Sequence, residues 1–210
     1  MPLDYLLFRE HMGTKSSLEC FLKGHLWLEL CVNNALSVHL ANPSALPTDR
    51  LTFANKVALC HALGAFRDAD VSALRSLNRL RNRLAHRVDA EIENEELLAI
   101  GEQLTDHAEH QYRAPKREPG DGKLETMVFI FFALVASLEY QNICAAYRKN
   151  NEIGLLQFAA RTMVMKNLGK YEPKRDDPVV RKRFGVPEPP VPADVWRNFR
   201  APGDDGGTVP

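Results

Sequence analysis

The sequence predicts an all-α protein, an up-and-down helical bundle followed by a proline-rich C-terminal tail. Three observations carry this. Apolar residues recur at helical spacing, most clearly Leu74, Leu77, Leu80, Leu84 and Val88, which fall within an arc of about 120° on an ideal helix. The run Met127–Leu138, interrupted only by Ser137, reads as a buried core helix and is too short to span a bilayer. Between such stretches lie cap residues, Gly, Pro and Asn in the positions that start and stop helices. With 210 residues, 45% hydrophobic and 26% charged, the chain is one large domain or a domain with a tail. Its 27 basic and 27 acidic residues cancel, so a nucleic-acid site must be a local patch.

Residues 3–12 form a short first helix that stops at Gly13. Thr14 or Ser16 caps a second helix running to about Asn42. On it Leu18, Phe21, Leu22, His25, Val32, Leu36 and His39 share one broad face, with Glu29 near its middle. Asn42–Pro47 is a loop, and Asp49 or Thr52 starts a third helix with Phe53, Val57 and Cys60 as its packing face and Leu63-Gly64 as its stop. Lys56 and His61 are lone polar residues there, solvent-facing or locally satisfied, with no role assigned. Asp68 or Asp70 caps the helix that carries Leu74–His86.

Asn94, followed by Glu95 and Glu96, starts a helix with acids where the helix dipole favours them. His107 and His110 sit near its end, but nothing at ligand spacing completes a metal site. Ala114–Gly122 is a linker or exposed loop. A long helix then runs from Lys123 to about Lys149, and another apolar one from Ile153 to Leu168. The expected division is a helical domain at 1–169 and a tail at 170–210, rich in proline, with Trp196 and Phe199 as its docking residues. Cys20, Cys31, Cys60 and Cys144 form no C-x-x-C pair and read as buried thiols in a reducing cytoplasm. The N-terminus, with Arg9 and Glu10 in its apolar run, is not a signal peptide. No membrane segment and no cofactor-binding motif is expected.

The helix Leu74–His86 has two faces. Opposite the leucines lie Arg75, Asn82, His86, Arg79 and Arg83, a basic surface with one histidine. Arg81 instead projects from the leucine stripe, where an unpaired cation is costly. Glu29 is a carboxylate on another apolar stripe, so a Glu29–Arg81 pair would satisfy both. In that plain reading His86 caps the helix end and the arginines are a solvated face.

The segment Arg81-Asn82-Arg83-Leu84-Ala85-His86 resembles the Arg-x4–6-His motif of the HEPN superfamily of small helical proteins, whose motif often has a polar residue after the Arg. One helix earlier, Thr52-Phe53-Ala54-Asn55-Lys56 through Leu63-Gly64 resembles the mannitol-repressor-like branch of that superfamily. The resemblance covers roughly residues 15–145. It implies a HEPN-like bundle and a metal-independent endoribonuclease of toxin or defence type. Arg81, His86 and Asn82 would be its catalytic residues, Glu29 a supporting acid, and Arg75, Arg79 and Arg83 its RNA-binding cations. The partners implied are an RNA substrate, a second copy of the chain, and an antitoxin or regulatory protein. The alternative is a non-catalytic HEPN-fold regulator acting through protein–protein contacts. The absence of a helix-turn-helix and of net basic charge argues against direct DNA binding. Arg81 and His86 lie about 140° apart around a helix and about 7.5 Å apart along it. Either the helix frays near Ala85 or two copies line one cleft, and superfamily members resemble the second case.

Overall fold

The computed structural model describes residues 3–87, 89–102, 104, 122–152 and 186–192, with isolated positions at 154, 156, 157, 159, 160, 163 and 182. The protein is all-helical, and no strand occurs among the described residues. The helices are α1 (Tyr5–Met12), α2 (Ser17–His39), α3 (Phe53–Ala62), α4 (Asp68–His86), α5 (Asn94–Glu102) and α6 (Lys123–Asn150), with single turns at Pro43–Ala45 and Thr48–Arg50. Two compact units are present: Met1–Asn142 with Val191–Pro210, and Ile143–Pro190. The expected domain boundary at 169/170, the helix end with His107 and His110, most of the helix at 153–168, and Trp196 and Phe199 lie outside the described residues.

Capping side chains set the starts. Asp4 accepts the Leu7 N–H at 3.0 Å, Ser16 accepts Glu19 N–H at 3.3 Å, and Thr52 accepts Asn55 N–H at 3.2 Å. Of the two candidates before α2, Ser16 caps, while the Thr14 hydroxyl donates to Glu19 at 2.6 Å. Gly64, at φ 66°, lets the chain leave α3 through a left-handed step. The start of α4 departs from expectation. Its N-cap is Arg67, without a side-chain cap. Asp68 opens the helix, and Asp70 is drawn inside.

In the first unit Asp70 is fully buried and accepts from Arg67 Nε (2.9 Å), Ser137 Oγ (3.0 Å) and Gln141 Nε2 (2.9 Å). Gln141 also accepts the Arg67 backbone N–H at 3.1 Å. This network fixes the start of α4 against α6, because a buried carboxylate tolerates no loss of partners. Around it the core is apolar: Phe21, Leu28, Cys31, Val32 and Leu36 of α2, Leu74, Leu77 and Leu80 of α4, and Phe131, Leu134 and Leu138 of α6 are buried. The α2–α6 crossing is so close that a Cβ built on Gly24 would overlap the Phe131 ring. The apolar run at 127–138 sits in a 28-residue helix that is long and apolar enough to cross a bilayer. The most apolar 18-residue window of that helix is 67% buried, which is how a core helix behaves.

Two expectations about packing need correction. The face of α2 named from the sequence is rotated. Leu18 and Leu22 are exposed, whereas Cys20, Gly24, Trp27, Leu28, Cys31 and Ala35 join Phe21, His25, Val32 and Leu36 inside. The reason is that α2 is covered on several sides at once, including by α1, whose Phe8 and His11 rings meet Trp27 at 5.5 and 6.0 Å. The up-and-down order also fails between α2 and α3. His25 meets Phe53, Glu29 meets Lys56, and Val32 meets Cys60, so the two helices run in the same sense. The connection Leu40–Thr52 is long enough to carry the chain back.

In the second unit Tyr147 Oη donates to the Pro187 carbonyl at 2.7 Å, and Asn151 Nδ2 donates to the Tyr147 carbonyl at 2.8 Å.

Candidate functional site

The leucine face of α4 is buried through Leu80; Leu84 is half-buried, and Val88 lies outside the described residues. Beyond Leu80 the helix runs past the packed layers. Arg81, Asn82 and His86 are all exposed there, as are Arg75 and Arg79 further back. Angular position on a wheel therefore no longer implies burial, and the Arg81 side chain extends to water along its aliphatic stem. Its one hydrogen bond among the described residues is a long one to Asn82 Oδ1, 3.4 Å. No hydrogen bond or ion pair among the described residues engages the His86 ring or the Arg75 guanidinium.

The expected Glu29–Arg81 pair is not formed. Glu29 Oε1 instead accepts from Lys56 Nζ at 2.7 Å, across from α3. Lys56 is buried rather than solvent-facing, and an ammonium in that position requires a carboxylate. The parallel course of α3 beside α2 supplies it. Arg81 and Glu29 do act on a common neighbour, His25. This ring is buried, packs on Phe53 at 4.5 Å, and has an Nε2 without a hydrogen-bond partner among the described residues. Burial, and after it the charge of Arg81, holds its pKa down to about 4, with Glu29 pulling the other way. His25 was legible only as one more residue on the α2 face. Its position beside both charges of the candidate site was not.

Arg83 does not serve as a free cation. Both of its terminal nitrogens engage Glu96 at the start of α5, and Nη2 also donates to the Glu91 carbonyl at 3.2 Å. The pairing pushes Arg83 up and Glu96 down from their ordinary pKa values. This fork ties the end of α4 to the start of α5. Arg79 makes a light contact, Nη2 to Ser76 Oγ at 2.9 Å. His61 meets Asp68 at 2.9 Å on the surface.

The backbone is regular to the end of the motif. The Arg87 N–H reaches the Arg83 carbonyl at 3.1 Å, and the helix continues through His86. Local fraying near Ala85 therefore does not bring Arg81 and His86 together. What the surface offers is a guanidinium, an amide and an imidazole on two adjacent sides of an exposed helix end, with two more arginines behind them. Among the described residues no group of three His, Cys, Asp or Glu side chains is placed to hold a metal ion. No family model, curated protein or solved structure matches the chain.

Proposed function

We propose that this chain is a HEPN-type endoribonuclease of the reducing cytoplasm, of toxin or defence type, that cuts RNA without a metal and works as a homodimer. The observation that carries the reading is the state of Arg81 and His86. Both are exposed at the end of α4, and among the described residues no carboxylate engages either. The reaction is attack of a ribose 2′-oxygen on the adjacent phosphorus. A new O–P bond forms, the bond to the 5′-oxygen breaks, and a 2′,3′-cyclic phosphate is left. His86 exchanges the proton, a role suited to imidazole near neutral pH. Arg81 holds the phosphate oxygens as negative charge grows on them. Asn82, beside Arg81, orients a phosphate oxygen, and Arg75 and Arg79 guide the RNA backbone. Glu29 acts at one remove, by holding Lys56, and with it α3, against α2.

The test is cleavage of single-stranded RNA by the purified chain in EDTA, with analysis of product ends. Cyclic phosphate termini are expected. Both His86→Ala and Arg81→Ala should abolish cleavage, and both should leave folding intact because the two side chains are exposed.

A second reading is a non-catalytic regulator of the mannitol-repressor-like kind, working through an antitoxin or other protein partner. The commitment of Arg83 to Glu96 and of Glu29 to Lys56 favours it, since both residues then serve the fold. If His86→Ala cuts RNA as fast as the parent chain, the cleavage comes from elsewhere and the regulator reading replaces the first.

A further inference from the structure

One side of α2 faces outward. Leu18, Leu22 and Leu26 are 51%, 45% and 64% exposed. Spaced by four, they form a straight apolar stripe within an arc of about 80°. Buried residues of α2 surround most of the rest of its circumference. Beside the stripe stand Glu19 and Lys23, each substantially exposed and paired with one another at 2.8 Å.

We infer that this stripe pairs with the same stripe of a second copy, the two α2 helices antiparallel about a two-fold axis at Leu22. The charges choose this occupant. A two-fold axis at Leu22 sets Leu18 of one copy against Leu26 of the other. It also keeps each flank on its own side. Glu19 lies about 4.5 Å before Leu22 along the helix and Lys23 about 1.5 Å after it. Rotation reverses these heights in the partner, so Glu19 of each copy stands about 3 Å along the axis from Lys23 of the other. The pair within one chain thus becomes a self-complementary set of four charges. Three leucines a side are modest beside the ~800 Å² per partner of a standard interface. The association is therefore concentration-dependent rather than obligate.

On the opposite flank His25 is buried against Phe53, and Arg81 of α4 lies within electrostatic range of it. Along α2, His25 is less than one turn from the axis residue. The pairing therefore brings the Arg81–His86 segments of both copies to one side of the dimer. That last point rests on the ribonuclease reading; the pairing itself does not.

The experiment is sedimentation equilibrium of the full chain across the micromolar range. The mass should rise from 23.7 kDa toward twice that value. Leu22→Glu should remain monomeric with an unchanged circular dichroism spectrum, since Leu22 is exposed. Glu19→Lys should weaken association by roughly tenfold, because two symmetric pairs become repulsive, and adding Lys23→Glu should restore it. Leu22→Cys should form a disulfide dimer under mild oxidation where the parent chain does not. A parent chain monomeric at every concentration, a Leu22→Glu variant that still dimerises, or a Leu22→Cys variant that does not cross-link would each overturn the pairing. A dimer with these properties that cuts no RNA leaves the pairing standing and removes only the ribonuclease reading.

Discussion

Removing the carboxylate of Glu29 should destabilise the fold far more than removing the ammonium of Lys56, although both changes break the same 2.7 Å contact. The asymmetry comes from burial. The Lys56 side chain is 5% exposed and that of Glu29 34%. Glu29→Ala strands a buried cation, and loss of one partner of such a pair costs ~3–5 kcal/mol. The lower end applies here, since water already reaches the carboxylate. About 3 kcal/mol corresponds to roughly 6–12 °C in Tm for a chain of this size. Lys56→Met keeps most of the buried stem and leaves a carboxylate that can rehydrate, so its cost should stay below about 1 kcal/mol. The double variant should sit near Lys56→Met, a coupling as large as the cost of Glu29→Ala itself, about 3 kcal/mol. Urea denaturation followed by circular dichroism measures all three. Equal losses from the two single variants, or a larger loss from Lys56→Met, would refute the reasoning. Arg81→Ala in the same assay should shift stability by no more than ~0.5 kcal/mol. A loss as large as that of Glu29→Ala would mean that Glu29 answers to Arg81 after all.

Two further predictions concern buried titrating groups. His25 is held down to about 4 by burial and then by Arg81, so the unfolded chain takes up its proton first as pH falls. The folded state should therefore lose stability between about pH 6.5 and 4, by up to about 3 kcal/mol, and change little on this account outside that window. Burial pushes Glu139 up, against a hydrogen bond from Asn142, and its effect has the opposite sign. The measurement is thus the difference between the parent chain and His25→Gln; parallel stability curves across the window would refute it. Burial pushes the thiols of Cys20 and Cys60 up to about 11 and 12, and that of Cys31 well above its ordinary value. Native chain treated with iodoacetamide at pH 8 should therefore label at half-buried Cys144 first, as read by peptide mass spectrometry. Early labelling of Cys60 would contradict its burial.

Helix identity and the starts of α2, α3 and α5 were legible residue by residue; the start of α4 was not. Ser16 and Thr52 cap α2 and α3, and Asn94 opens α5; caps act over three or four residues of chain, a range that sequence displays directly. The leucines of α4 were legible for the same reason. A 3.6-residue period reports which residues share a side. It does not report what stands against that side. Hence Leu18 and Leu22, grouped with Phe21 and Val32 by angle, turned out to face water.

The partners of the charges were decided by topology. Glu29 and Arg81 were the two ions on apolar stripes, and pairing them was sound as far as one-dimensional information went. Only the return of the chain through Leu40–Thr52, which lays α3 parallel to α2, puts Lys56 at Glu29. Only the height of Arg81 above the last packed layer frees it from needing a carboxylate. Asp70 shows the same thing in reverse. A good cap residue by sequence, it was taken into the interior because Ser137 and Gln141, some seventy residues later, offer it hydrogen bonds that a helix end does not. Local chemistry fixed where the helices are, since caps and periodicity act within a turn or two. The choice of which polar groups meet belongs to contacts between residues distant in the chain, and these exist only once the helices are packed.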